Sequence, residues 1–367
     1  MTDIIMAAGE ASGDRLGGAL AAKLKSLEPS LSIAGVGGEK MKAAGVEVLF
    51  SHEPLSVMGY WDALTRLPSI LSVRRQLIEE VLRLRPRLFI GIDAPDFNLG
   101  VEKELRRAGI KTAHYVSPSV WMWRKNRISN IAESADAMWC LFPFEPECYK
   151  NTSIDARFVG HPDAKAESPD KAEARKRFRA RDDEELLALM PGSRAAELRI
   201  HLPLFAGIMR RIQTPQRRFI AVAATESAAE QMKQTLPWIE VYEGNAADVL
   251  EAADGALVKS GTSSLQAAFA ETPMVVVYKT SLAAHYAGVW RRFELPYFSL
   301  PNIMSGKFVV PELLQGEARA ADIATQTVRI LEDDNIRNSQ IKSFKDIRRR
   351  LFCNGADTVA SAAVEML

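Results

Sequence analysis

At 367 residues the chain is longer than one hydrophobic core supports, and two domains of roughly 100–200 residues each are expected. With 47 Lys and Arg against 46 Asp and Glu the net charge is +1, which excludes a global attraction to nucleic acid, so an anionic partner must be bound locally. Cys140, Cys148 and Cys353 form no C-x-x-C pair and the five histidines no H-x-x-x-H, which argues against a disulfide scaffold and against a metal-ligand constellation.

The chain opens on a short apolar run flanked by Asp3 and Glu10, without the basic start of a secretory signal, and no stretch approaches the roughly 18 apolar residues of a membrane span. A cytosolic protein that can still touch a membrane surface is expected. Short apolar runs then alternate with helical patterns. Asp3–Ala8, Leu31–Val36, Val46–Phe50, Leu88–Ile92, Thr112–Val116, Ala137–Phe142 and Arg157–Val159 are predicted strands, and Asp14–Leu27, Pro68–Leu84, Leu99–Ala108 and Asn126–Ser134 predicted helices. Such alternation gives a parallel, doubly wound sheet.

Between the first strand and helix lies Gly9-Glu10-Ala11-Ser12-Gly13-Asp14. It matches neither G-x-G-x-x-G nor a P-loop, which disfavours a standard dinucleotide or triphosphate cradle. Its glycines permit close approach to a ligand, with Glu10, Ser12 and Asp14 as candidate binding residues; a simple tight turn with Ser12 or Asp14 as helix cap is the alternative. From Ser56 to Arg87, Met58, Trp61, Leu64 and Leu67 are interleaved with Arg66 and Arg74. This pattern suits an anionic membrane surface or acyl chains, and equally a core-packed helix with snorkelling arginines; Pro68 is expected to start or break the helix.

The strand Leu88–Ile92 stops at Asp93, with Pro95 beyond it. A carboxylate at the carboxyl end of a strand is where open α/β sheets bind ligands, so Asp93 is the candidate catalytic base. Capping of the following helix by Asp93 or Asp96 is the competing reading. Ser117-Pro118-Ser119-Val120-Trp121 follows another strand, and Ser117 and Trp121 are candidates for sugar or phosphate contact, or for packing.

Prolines and mixed charge over His161–Glu185 mark a linker, and the alternation then restarts. The strand Leu186–Met190 runs into Pro191-Gly192-Ser193-Arg194 and a helix, and Ala256–Lys259 into Ser260-Gly261-Thr262 and a second helix. Each turn offers free backbone N–H groups at a positive helix end, so Gly192, Ser193, Arg194, Ser260, Gly261 and Thr262 are candidates for holding a diphosphate without a metal. Ordinary turn and capping chemistry is the alternative. Ser299-Leu300-Pro301-Asn302 returns polar groups to the same region, and the tail from Ala320 is helical by periodicity.

Taken together, Gly9–Asp14, Val57-Met58-Gly59, the run Gly91–Asn98, His114–Trp121, Pro191–Arg194, Ser260–Thr262 and Ser299–Asn302 resemble the lipid-A-disaccharide synthases. The resemblance implies a GT-B fold: two Rossmann-like doubly wound α/β domains facing a cleft, with C-terminal helices. The expected boundaries are 1–165 on the acceptor side, 166–340 for the nucleotide sugar, and 341–367 for helices packed on the first domain or exchanged in a dimer. It also implies an inverting transfer of 2,3-diacylglucosamine from UDP to the 6-hydroxyl of 2,3-diacylglucosamine 1-phosphate, with neither cofactor nor metal. A homodimer attached peripherally to the inner membrane is implied as well. The family places Glu where this chain has Gln266, facing the donor's ribose, and Gln retains an acceptor there. A UDP-sugar epimerase of the same architecture, or a non-catalytic nucleotide-sugar-binding module, is the alternative.

Overall fold

The structure is a computed structural model, and it describes residues 2–55, 60–122, 125–165, 167–280, 296–353 and 355–367, with the side chains of 54, 60–67 and 125 outside that description. The chain divides into two compact units, one made of Met1–Pro162 with Leu351–Leu367, the other of Asp163–Arg350.

In the first unit seven strands form one sheet: β1 Ile4–Ala8, β2 Ile33–Gly37, β3 Glu47–Ser51, β4 Leu88–Ile92, β5 Lys111–Tyr115, β6 Ala137–Cys140 and β7 Asp155–Phe158. Their order is β3-β2-β1-β4-β5-β6-β7 and every pairing is parallel. β1 and β4 are buried at every position because helices cover both faces of the sheet. Ile4, Met6 and Ala8 pack with Leu16, Leu20 and Leu24 of helix Ala11–Leu27, whereas Ile5 and Ala7 pack with Leu77 and Val81 of helix Tyr60–Leu84. The last helix, Gly355–Met366, adds Val359, Ala360 and Ala363 to the first of these cores, and an ion pair of 2.5 Å joins Lys23 to Asp357.

The second unit repeats the plan with six strands: β8 Glu185–Met190, β9 Arg217–Ala223, β10 Glu240–Glu243, β11 Gly255–Lys259, β12 Met274–Tyr278 and β13 Glu312–Leu314. The order β10-β9-β8-β11-β12-β13 is again parallel throughout. Leu187 and Leu189 of β8 pack under Leu198, Leu202 and Phe205 of helix Ala195–Ile212.

In each unit the strand order reverses beside the first strand, between β1 and β4 and between β8 and β11. Ligands of open α/β sheets bind outside the carboxyl ends of the strands at such a reversal.

The structure departs from the expected elements in several places. Pro68 neither starts nor breaks its helix, which runs from Tyr60 to Leu84 with the proline inside it. The helix after β4 begins at Pro95 rather than Leu99, since a proline at the first helical position gives up an N–H that has no intrahelical partner. β13, with three half-buried residues behind Pro311, is an edge strand too short to stand out in the sequence.

Candidate functional site

In the first unit the reversal brings together the Gly9 loop and the turn after β4. A Cβ on Gly9 would lie 2.4 Å from the Cβ of Ala94, so only a glycine lets the two turns touch. Asp93 and Ala94 both adopt left-handed backbone conformations, with φ of 52° and 43°. Two such residues in succession cost of order 1–3 kcal/mol each and persist only where their surroundings hold them. Asn98, fully buried one helical turn on, provides the hold. Its amide donates to the carbonyls of Ala7 at 3.0 Å, Ile92 at 3.3 Å and Asp93 at 2.9 Å, tying the ends of β1 and β4 together.

Neither aspartate in this turn caps the helix. The capping position is Ala94, with no side-chain cap, and Asp96 pairs with Arg127 at 2.8 Å. Asp93 is left half-buried at the end of β4. Glu10 and Ser12 are exposed at the start of helix Ala11–Leu27, which carries no side-chain cap at Glu10.

Four predicted binding residues turn inward instead. Asp14 is buried inside its helix, and its carboxylate accepts from the N–H groups of Gly38 at 2.7 Å, Lys40 at 3.0 Å and Met41 at 3.1 Å, so it caps the short helix Glu39–Ala43 rather than its own. Ser117 shares a 2.9 Å hydrogen bond with the Tyr149 hydroxyl. Trp121 donates from Nε1 to Glu145 at 3.1 Å and packs edge-on against Phe142 and Phe144. Asn302, fully buried, clasps the backbone of Val309 and Val310 through three hydrogen bonds. In each case the polar groups are spent on the protein itself, which explains why a loop position rich in hydrogen-bonding capacity need not face a ligand.

In the second unit the two predicted turns follow β8 and β11, which are adjacent strands. Gly192 has a φ of 120° and Gly261 of 153°, left-handed geometry that favours glycine. The helix after β11 is Thr262–Phe269, with Gly261 at its capping position and no side-chain cap; Ser260 donates to the carbonyl of Phe298 and Ser264 to that of Gly261. Capping therefore does not account for the hydroxyls of the Ser-Gly-Thr turn. Gln266 lies half-buried one turn into this helix, and Ser193, Arg194 and Thr262 are exposed.

Two residues join the turns that the sequence did not single out. Glu197 accepts from the N–H groups of Ser193 at 3.2 Å and Arg194 at 3.5 Å, and from the Arg194 guanidinium at 3.4 Å. Its other link is to Lys259, the last residue of β11, at 2.9 Å. Burial alone would raise the Glu197 carboxyl, but Lys259, Arg194 and the Ser193 N–H outweigh it and hold it below the usual carboxylate range. The one sequence signal for Glu197 is its place three residues after the cap, the capping-box position. His201 braces the same helix: its Nδ1 lies 2.8 Å from the carbonyl of Glu197 and its Nε2 accepts from the N–H of Lys279 at 3.3 Å. Burial pushes its pKa down, which keeps the imidazole neutral and suits one donor and one acceptor nitrogen. A cavity of about 700 Å³ beside β12 and β13 is lined by Tyr278, Phe298, Leu313, Leu314 and Gln315 and contains none of the predicted residues.

Of the residues expected at a membrane, Met58 lies outside the described residues, as do the side chains of Trp61, Leu64, Arg66 and Leu67. Arg74 lays its guanidinium over Gly100, where a Cβ would meet it at 2.2 Å, so it packs against helix Pro95–Arg107. No helix among the described residues is long and apolar enough to cross a membrane.

The sequence model of the lipid-A-disaccharide synthetase family matches residues 4–363. The lipid-A-disaccharide synthase of Dechloromonas aromatica is 40% identical over 377 residues, covering 99% of this chain and 98% of that one, and the enzyme of Azotobacter vinelandii is 40% identical with 99% and 97% covered. Among solved structures, the UDP-GlcNAc 2-epimerase from Neisseria meningitidis bound to UDP-GlcNAc aligns over the full length of both chains with a TM-score of 0.68 at 8% identity. CalG4, the calicheamicin glycosyltransferase, aligns with a TM-score of 0.59 at 16% identity, covering 100% of this chain and 98% of that one. At such identities the structural likeness speaks for the fold alone, two Rossmann-like domains of the GT-B kind. The family match and the sequence relatives go further: this chain belongs to the lipid-A-disaccharide synthases, glycosyltransferases that form the lipid A disaccharide.

Proposed function

We propose that the chain moves a 2,3-diacylglucosamine unit from UDP to the 6-hydroxyl of 2,3-diacylglucosamine 1-phosphate, with inversion at the anomeric carbon, giving the β-1,6-linked disaccharide and UDP. One observation carries this reading. In each unit the residues given the central chemical roles here fall at the reversal of strand order, Asp93 beside β1 and β4, Arg194 and Thr262 beside β8 and β11.

Asp93 takes the proton from the acceptor hydroxyl as that oxygen attacks the anomeric carbon. A positioned carboxylate contributes about 10²–10⁴-fold to such a step. Arg194, with the N–H groups and hydroxyls of the two turns in the second unit, binds the diphosphate and stabilises the charge that grows on it as the glycosidic bond breaks. Each preorganised donor of this sort is worth about 2.7–4 kcal/mol. The apolar and basic stretch around Met58–Arg74 holds the enzyme against an anionic lipid surface, where its acylated substrates reside. A homodimer peripheral to the inner membrane follows from the family resemblance.

The deciding assay measures UDP formed by the purified chain from the diacylated donor, with and without the monophosphate acceptor and with and without a chelator, while NMR reads the configuration of the product. UDP release that depends on the acceptor, survives the chelator and yields a β-linkage is the expected result. Release without acceptor, or donor epimerised in place of transfer, refutes it.

A further inference from the structure

We propose that Lys259 is a binding residue for the donor's diphosphate, and that the Glu197 carboxylate stands in the diphosphate's place until the donor displaces it. The inference rests on the reading that the second unit binds the sugar nucleotide.

Glu197 collects the donors an oxyanion would collect. One oxygen takes two consecutive main-chain N–H groups from the turn after β8, and the other takes the ammonium of Lys259 from the end of β11, with the Arg194 guanidinium beside it. Glu197 and Lys259 are 62 residues apart in sequence, and the carboxylate links the turn after β8 to the end of β11. A Cβ on Gly192 would stand 2.6 Å from Glu197 Oε2, so the turn leaves room for an oxygen where any other residue would fill it. An ordinary capping box accounts for the contact with the Arg194 N–H. It does not account for the shorter contact with Ser193 or for a lysine brought from another strand.

Stability does not explain the pair either. Lys259 and Glu197 side chains are 18% and 19% exposed, and desolvating two charges to that degree offsets most of their attraction. Charge balance points to the ligand. At rest two cations face one carboxylate, leaving a positive excess; with Glu197 rotated away, Lys259 and Arg194 match the double negative charge of a diphosphate diester. Lys259 lies 5.8 Å from the centre of the Tyr278 ring, which gives its ammonium a second favourable neighbour while the carboxylate moves.

The test is calorimetric binding of UDP to the full chain, parent against Glu197→Gln, Lys259→Met and Lys259→Arg, at two salt concentrations, with thermal unfolding as the check on folding. A charge-assisted hydrogen bond is worth about 1.5–3 kcal/mol, so Lys259→Met is expected to weaken UDP about tenfold or more and to flatten the salt dependence, with Lys259→Arg close to the parent. Glu197→Gln is expected to tighten UDP about fivefold even where it lowers the melting temperature, because the competing charge is gone. Should Glu197→Gln fail to fold, Glu197→Asp, too short to reach both turns, carries the same expectation. Weaker UDP binding in the Glu197 variants would show that the carboxylate only positions Lys259, and unchanged binding in Lys259→Met would remove the lysine from the site; either overturns the proposal. A parent chain that fails to bind UDP refutes instead the donor-site reading beneath it.

Discussion

The side-chain amide of Asn98 reaches the carbonyl of Asp93 at 2.9 Å, and the same nitrogen reaches the carbonyl of Ala7 at 3.0 Å. One buried group thus fixes the strained turn that carries the proposed base. Asp93→Asn keeps shape and removes the base, so turnover should fall about 10²–10⁴-fold in a protein that unfolds at the parental temperature. Asn98→Ala removes the hold but not the base, and turnover should fall about tenfold through misplacement, with the donor KM unchanged. Steady-state kinetics beside thermal melts separates the two. Near-normal turnover in Asp93→Asn would end the assignment.

Most of the fold was legible in the sequence because both sheets are parallel and covered on both faces, so strands such as Leu88–Ile92 read as unbroken apolar runs. The turns after β8 and β11 were legible for the same reason, being the glycine-and-hydroxyl interruptions of those runs. What each polar side chain faces was not legible. Asp14 and Asn302 have the sequence surroundings of ligand-binding residues, yet their partners are backbone groups 24–27 and 7–8 residues away. The pairing of Glu197 with Lys259 depends on β8 and β11 lying side by side, a matter of strand order that no local pattern records.

The Arg194 side chain stands three-quarters exposed, its guanidinium 3.4 Å from Glu197. Arg194→Ala should therefore leave the melting temperature within about a degree, since surface ion pairs contribute about 0–1 kcal/mol. Turnover with saturating acceptor should drop about 10²-fold, the loss expected for one stabilising donor at a leaving diphosphate. Unaltered donor kinetics would exclude it from the phosphate site.

Trp61 and Leu64 belong to the stretch proposed to lie on a lipid surface. On that proposal, replacing both with Glu sets two negative charges against anionic headgroups and takes away apolar surface. Co-sedimentation with vesicles containing anionic lipid should fall at least about tenfold relative to the parent. Parental binding that weakens as salt is raised assigns the attraction to the arginines, whereas salt-independent binding assigns it to apolar insertion. No difference between variant and parent counts against a membrane role for this stretch.

Gln266 occupies the helix position at which the family resemblance implies a glutamate. A carboxylate accepts from both ribose hydroxyls with charge assistance, which a neutral amide does not offer. Gln266→Glu should tighten UDP by about fivefold, corresponding to about 1 kcal/mol. The gain should vanish with 2′,3′-dideoxy-UDP. Equal gains with both nucleotides would mean that the side chain acts on something other than the ribose.

Glu145 is 2% exposed and accepts from Trp121 Nε1 and from the N–H of Phe142, and burial pushes its pKa from an ordinary 4.5 up to about 8. The folded chain therefore keeps the proton over a range in which the unfolded chain has lost it. Stability from this group is complete below about pH 4.5, declines as the pH rises, and is gone once the pH passes about 8. Glu145→Gln has no proton to lose. Whatever its absolute melting temperature, the variant should gain on the parent between pH 5 and pH 8, by several degrees at about 2–4 °C per kcal/mol. Parallel pH profiles would mean that Glu145 is already ionised in the fold, and that Trp121 and Phe142 hold a carboxylate there rather than an acid.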